Sequence, residues 1–215
     1  MKPSMLFSPL LTLLLLLLQL SLPLQLRSQV LIGMQGGFSQ ITPTRFVTLD
    51  GGGSYSGDGA SFAGALISIK TGRNLWFESG VLISRHHLIS TPEFMPGIDM
   101  TPEKNVLTLV SVPLKLNLEL GRYFFLNGGL LIDLETDRTG SYFDNQSGMG
   151  FELGTGINYQ YRNLYFRLNP LLRMHAFPAF QRENYQQHLL EAGVGAGIGV
   201  ILGKKLTDNQ AATTR

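Results

Sequence analysis

The chain contains no cysteine. That excludes a disulfide framework and thiolate metal sites, and it fits a protein of the cell envelope. Charge is scarce as well, at 15% of 215 residues, and bases exceed acids by only two, 17 to 15. Lys2 and Arg27 are the only charged side chains among the first 28 residues, and without them 15 bases face 15 acids. A balance near zero gives no basic footprint for nucleic acid and no polybasic segment for an anionic membrane surface. Glycine, by contrast, is plentiful at 25 residues, and with the low charge it points to β structure in a single domain rather than to disorder or a coiled coil.

The first 28 residues have the layout of a secretory signal peptide. Lys2 precedes an apolar run from Leu10 to Leu20, followed by Leu24 to Leu26 and "RSQV", with cleavage expected after Ser28 or Gln29. The rival reading is an uncleaved anchor, because residues 6–26 approach spanning length. Residues 29–206 then form the folded domain, and 207–215, "TDNQAATTR", a polar C-terminal tail.

The folded domain repeats one pattern. In "VSVPLKLNLEL", Val110, Val112, Leu114, Leu116, Leu118 and Leu120 alternate with Ser111, Pro113, Lys115, Asn117 and Glu119. Successive side chains of a strand point to opposite faces, so a period of two predicts a strand with one aliphatic face. The pattern recurs in "VLIGMQGGFS", "LWFESGVLIS", "RYFFLNGGLLIDLE", "GMGFELGTGINYQY", "NLYFRLNPLLRMH" and "HLLEAGVGAGIGVIL". With "SFAGALISIK", whose register is ambiguous, eight strands are predicted.

Alternation alone fits a soluble sandwich or lipocalin, with the apolar face inward, as well as a membrane barrel, with that face on lipid. Three features favour the membrane. The connections alternate between short turns and long joints, the latter at about 40–59, 86–105, 136–147 and 176–187, as in outer-membrane barrels. Trp76, Phe77, Tyr123, Phe124, Phe125, Tyr159, Tyr161, Tyr165 and Phe166 cluster near the short turns, where an interfacial girdle falls. Several strands reach the ten residues that a tilted span needs. Unpaired backbone cannot face lipid, so the strands must close. The expected fold is therefore all-β, an eight-stranded antiparallel up-and-down transmembrane β-barrel whose lumen is narrow enough to be filled by side chains.

"VLIGMQGGFS" after a signal ending in Gln, the Pro-Leu-Lys strand "VSVPLKLNLEL", "YFFLNGGLLIDL" and the glycine-alternating last strand together resemble the small PorT-like outer-membrane β-barrels of the Bacteroidota, a porin-like superfamily. The resemblance covers residues 29 to about 206. It implies an outer-membrane location and, for most members, no assigned activity. Such barrels commonly end on an aromatic residue, and this chain departs from that by continuing past Leu206.

On the lumen side the alternation places Glu78, Lys115, Glu119 and Arg167 near the short turns, and Asp133, Glu152, Arg173 and Glu191 higher, so two ionic layers are expected. Buried charges must be paired, which makes this a structural network. Three acids and one base in the upper layer could also take a cation or hold a protonated carboxyl. Gly150, Gly154, Gly156, Gly193, Gly195, Gly197 and Gly199 leave room for long side chains. "GVGAGIG" does not match G-x-G-x-x-G, and "GGGSYSGDG" lacks the lysine of a phosphate loop. Adjacent His86 and His87 point to opposite faces and chelate poorly. Ser84 and His86 share the inner face, but no oxyanion hole can be named. No catalytic residue, cofactor or metal site is expected, and the protein is expected not to be an enzyme.

The expected partners are outer-membrane lipid and, at the long joints, an envelope or external protein. Phe94, Met95, Ile98 and Met100 make the 86–105 joint unusually apolar for contact, or for folding over the barrel mouth. The competing functions are a small permeability protein, a secreted soluble ligand-binding barrel and an outer-membrane enzyme.

Overall fold

A computed structural model describes residues 29–45, 54–91, 101–139, 144–180 and 186–203. Among them are eight strands: β1 Val30–Arg45, β2 Ser54–Lys70, β3 Leu75–Thr91, β4 Glu103–Leu120, β5 Phe124–Thr139, β6 Gly148–Tyr161, β7 Leu164–Met174 and β8 Gln187–Leu202. Each pairs antiparallel with its sequence neighbours, and β8 returns to β1 in one unbroken ladder from Val30↔Leu202 to Arg45↔Gln187, so the barrel is closed.

The short connections at 71–74, 121–123 and 162–163 lie on one rim. Gly121, at φ 73°, takes the left-handed conformation that the tight β4–β5 turn requires. On the other rim the strands run further than the alternation foretold. β1 continues to Arg45 and β2 begins at Ser54, while β3 continues to Thr91 and β4 begins at Glu103. Twelve of the twenty residues expected in the 40–59 joint, and nine of the twenty expected in the 86–105 joint, are therefore strand. The reason is that a ladder needs only backbone partners, so "QITPTR" and "HHLIST" stay paired after the apolar alternation has faded. Sixteen residues of β1 rise about 54 Å, which at a tilt of about 40° exceeds the apolar band of about 25 Å. The surplus extends the barrel beyond the bilayer on the long-joint side.

The barrel exterior is apolar. Phe38, Met34, Ile83, Leu116, Leu130, Leu153, Leu172 and Ile198 all stand exposed on the outer wall, Phe38 at 77%. β2, whose register the sequence left ambiguous, turns Ala60, Phe62, Leu66 and Ser68 inward and Ile67 outward. Of the aromatics expected to form the girdle, Tyr123, Phe124, Tyr159, Tyr161 and Phe166 face out, but Trp76, Phe125 and Tyr165 are buried in the lumen. Period two decides their side: Trp76 and Glu78, Phe125 and Asn127, and Tyr165 and Arg167 share a face.

The lumen is not uniformly polar, as the alternation implied. At the short-turn end Leu31, Trp76, Tyr165 and Ile201 pack into one apolar cluster. Toward the opposite end Ile41, Ala60, Leu88, Leu107, Leu109 and Leu189 pack into another. The fully buried Glu78, Lys115, Asp133, Glu152 and Glu191 lie between these two plugs.

Candidate functional site in the lumen

One row of paired residues explains how the charges meet. Leu31 of β1 pairs Ser68, which pairs Glu78, and the row continues through Lys115, Gly129, Glu152, Arg173 and Glu191 to Ile41 of β1. It left β1 at Leu31 and returned at Ile41, ten residues higher, because closure of a tilted sheet demands a stagger. Residues at different distances from the turns thus become neighbours. The two ionic layers expected from the sequence merge into one ascending chain.

In that chain Lys115 is the node. Its Nζ lies 2.9 Å from Glu78 Oε1 and 2.8 Å from Glu152 Oε1, with no solvent exposure. Glu152 reaches on through Oε2 to Arg173 Nε at 2.7 Å, and Arg173 Nη1 is 4.0 Å from Glu191. In the other direction Glu78 Oε2 accepts from Arg167 Nη1 across the lumen at 2.7 Å and from Ser68 Oγ at 3.1 Å. Lys115 can span β5 because the residue between it and Glu152 is glycine. A Cβ on Gly129 would lie 2.1 Å from the Leu114 carbonyl oxygen and 2.6 Å from Lys115 Cα. Aromatic faces complete the desolvated cations: Arg173 lies 4.1 Å from the Phe62 ring centre and Arg167 4.8 Å from that of Phe125.

Glu119 stands apart from this chain. It is half-buried near the short-turn rim, lining a small cavity with Trp76, Asn117 and Phe125, and forms no ion pair with the cluster. Two steps of alternation beyond Lys115 place it beside the lower plug, whose Leu31, Trp76 and Tyr165 line the same cavity. Asn117, Asn158 and Arg167 line the same cavity, but Arg167 gives its Nη1 to Glu78.

Asp133 joins a second group that the sequence did not single out. Its Oδ1 accepts from Ser111 Oγ at 2.6 Å, and its Oδ2 lies 2.8 Å from His175 Nδ1. His175 Nε2 is 3.2 Å from Glu191 Oε1, the oxygen that His86 Nε2 also contacts. Glu191 Oε2 accepts from Ser39 Oγ at 3.1 Å. All of these side chains are buried. His86 and His175 were legible as inward by parity with Ser84 and Arg173. Sequence reasoning weighed His86 against adjacent His87, whereas its partners come from β8 and the residue after β7.

Nothing in this arrangement is poised for nucleophilic catalysis. Ser39 and Ser111 donate directly to carboxylates, and Ser84 Oγ makes no hydrogen bond to His86. Phe94, Met95, Ile98 and Met100, as well as residues 1–28 and 207–215, expected to be a signal peptide and a polar tail, lie outside the described residues.

An apolar outer wall around paired internal charges is the inverse of a soluble core, and it defines a transmembrane β-barrel of the outer-membrane type. No protein-family model matches the chain, and no curated protein matches it. Solved outer-membrane barrels do. Outer membrane protein AlkL, determined in lipid bilayers, aligns with a TM-score of 0.51 at 10% identity over 84% of this chain and 93% of its own. OprG of Pseudomonas aeruginosa gives 0.47 at 12% identity over 83% and 97%. Ail, the attachment invasion locus protein of Yersinia pestis, gives 0.40 at 11% over 82% and 100%. At such identities the AlkL likeness speaks for the fold alone.

Proposed function

We propose that the protein is a non-enzymatic, non-conducting outer-membrane barrel of the PorT-like kind, serving as a rigid platform for its long connections. The observation that carries this reading is the filled lumen: among the described residues, two apolar plugs enclose a network of paired buried charges. The ion chain ties β3, β4, β6, β7 and β8 together across the interior, so its role is to fix the shape of the wall. The connections at 46–53 and 92–102 are then the segments that engage an envelope or external protein, and Phe94, Met95, Ile98 and Met100 supply the apolar contact surface.

Two measurements test it. In planar bilayers the refolded barrel should give no resolved single-channel current, and a steady open conductance would favour the porin-like alternative. Replacing 92–102 with a Gly/Ser segment should abolish recovery of cross-linked envelope partners while the heat-modifiable gel shift of the folded barrel is retained. Unchanged recovery would remove that connection from the contact surface.

A further inference from the structure

We propose that His86, His175 and Glu191 form a binding site for one divalent metal ion of the zinc class inside the barrel. Donor geometry comes first. His86 projects from β3, His175 from the residue that follows β7 and Glu191 from β8, and the three ligand atoms lie within 4.8 Å of one another. A tetrahedral ion with bonds of about 2.0–2.1 Å places its donors about 3.3 Å apart. The separation of His175 Nε2 from Glu191 Oε1 is 3.2 Å, and His86 Nε2 converges on the same oxygen. The imidazole rings meet edge to face, 5.4 Å between centres, so both can turn a nitrogen lone pair toward a shared point without stacking.

The surroundings are those that hold metal ligands in place. His175 presents Nδ1 to Asp133 at 2.8 Å, and Asp133 is itself fixed by Ser111 at 2.6 Å. A carboxylate on the far nitrogen of a histidine selects the tautomer that leaves the near nitrogen free to ligate. Glu191 keeps one oxygen for the ion because Ser39 holds the other. Without an ion, the Nε2 atoms of both imidazoles crowd one carboxylate oxygen of Glu191.

The charge balance of the interior accommodates the ion. Among the described residues the sealed cluster contains the acids Glu78, Asp133, Glu152 and Glu191 against the fixed cations Lys115, Arg167 and Arg173. The acids exceed the fixed cations by one, and the surplus falls at the His86–His175–Glu191 end, where Arg173 is 4.0 Å away and Lys115 is occupied elsewhere. Buried charge without compensation is costly; a proton on His175, between Asp133 and Glu191, balances the ion-free interior, and a divalent ion carrying a bound hydroxide would balance the metal-bound one. With oxygen and nitrogen ligands and no sulfur, the donor set suits zinc. Burial under the long-joint plug makes the ion a staple joining β3, β7 and β8, and through Asp133 β5, rather than a reaction centre.

The test uses full-length mature barrel refolded from metal-free denaturant, with zinc or with chelator. Bound zinc is counted after desalting by elemental analysis, and stability is read as the urea midpoint of the heat-modifiable gel shift. Expected is one zinc per chain and a higher midpoint with zinc than with chelator. Refolding with cobalt should give the visible absorption of a tetrahedral site. His86→Ala and Glu191→Gln should lose the zinc and the midpoint difference, while His87→Ala, whose side chain is exposed on the other face, should keep both. If the ligand variants fail to fold, Asp133→Asn decides, with an expected 10–100-fold loss of zinc affinity. The proposal is overturned if the wild-type barrel retains less than about a tenth of an equivalent of zinc, a threshold set by the one-site stoichiometry. It also falls if folded His86→Ala or Asp133→Asn binds zinc as tightly as wild type.

Discussion

Replacing Lys115 with methionine removes one charge and keeps most of the volume, so the result reports on the ion chain rather than on packing. Lys115 contacts Glu78 and Glu152 within 2.9 Å and is fully buried. Removing one partner of a buried pair costs about 3–5 kcal/mol, because the remaining charge is left without compensation. Here two carboxylates lose a cation, but each keeps an arginine at 2.7 Å, Arg167 for Glu78 and Arg173 for Glu152. These retained partners hold the expected loss to the same range, about 3–5 kcal/mol, rather than twice it. Adding Glu152→Gln to Lys115→Met should recover part of the loss, since it removes one of the stranded acids. A double-mutant cycle in refolded barrel, followed by urea unfolding, measures that coupling, and residues in direct contact typically couple by about 0.5–3 kcal/mol. A loss below about 1 kcal/mol for Lys115→Met, the size of a surface pair, would refute the claim that the chain is sealed from water.

Gly129→Val should be more disruptive than its small size suggests, because a Cβ there meets the Leu114 carbonyl at 2.1 Å and blocks the path of Lys115; the yield of heat-modifiable folded barrel should fall sharply, and a normal yield would contradict the row register. Leu114→Arg, on the exposed outer wall, should cost about 2–4 kcal/mol in lipid, whereas a cost near zero would place that position in water. Phe62→Ala removes the ring beneath Arg173 and opens a void in the lumen, with an expected loss of about 3–5 kcal/mol in urea unfolding. A loss no larger than that of an exposed alanine substitution would mean that the ring does not pack there.

The sequence made the sidedness of the wall legible because alternation has a period of two and requires no knowledge of neighbours. Lys115, Asp133, Glu152, Arg173 and Glu191 could be assigned to the interior on that ground alone. Their partners could not. Which charge meets which depends on the stagger that carries the paired row from Leu31 to Ile41, and no local pattern encodes it. Judging height from the nearest turn therefore separated Lys115 from Glu152, although only Gly129 stands between them in the sheet. The same limit hid the meeting of His86 with His175 and Glu191: the last two lie 16 residues apart at neighbouring strands, but His86 is 105 residues from Glu191 and reaches it only across the lumen. The apolar plugs were missed for another reason. Leu31, Leu88 and Leu109 sit at inward positions within runs where both faces are apolar, so alternation gave no signal for them.

The orientation of the wall is the central claim, and β4 tests it most directly. Because the chain has no cysteine, single cysteines placed from Ser111 to Leu118 can carry a spin label without background reaction. In bilayers, collision with oxygen should be high at Val112, Leu114, Leu116 and Leu118 and low at Ser111, Pro113 and Asn117, with a period of two. High oxygen accessibility at Ser111 and Asn117, or collision of a water-soluble nickel chelate with Leu114 and Leu116 as frequent as in bulk solution, would contradict it.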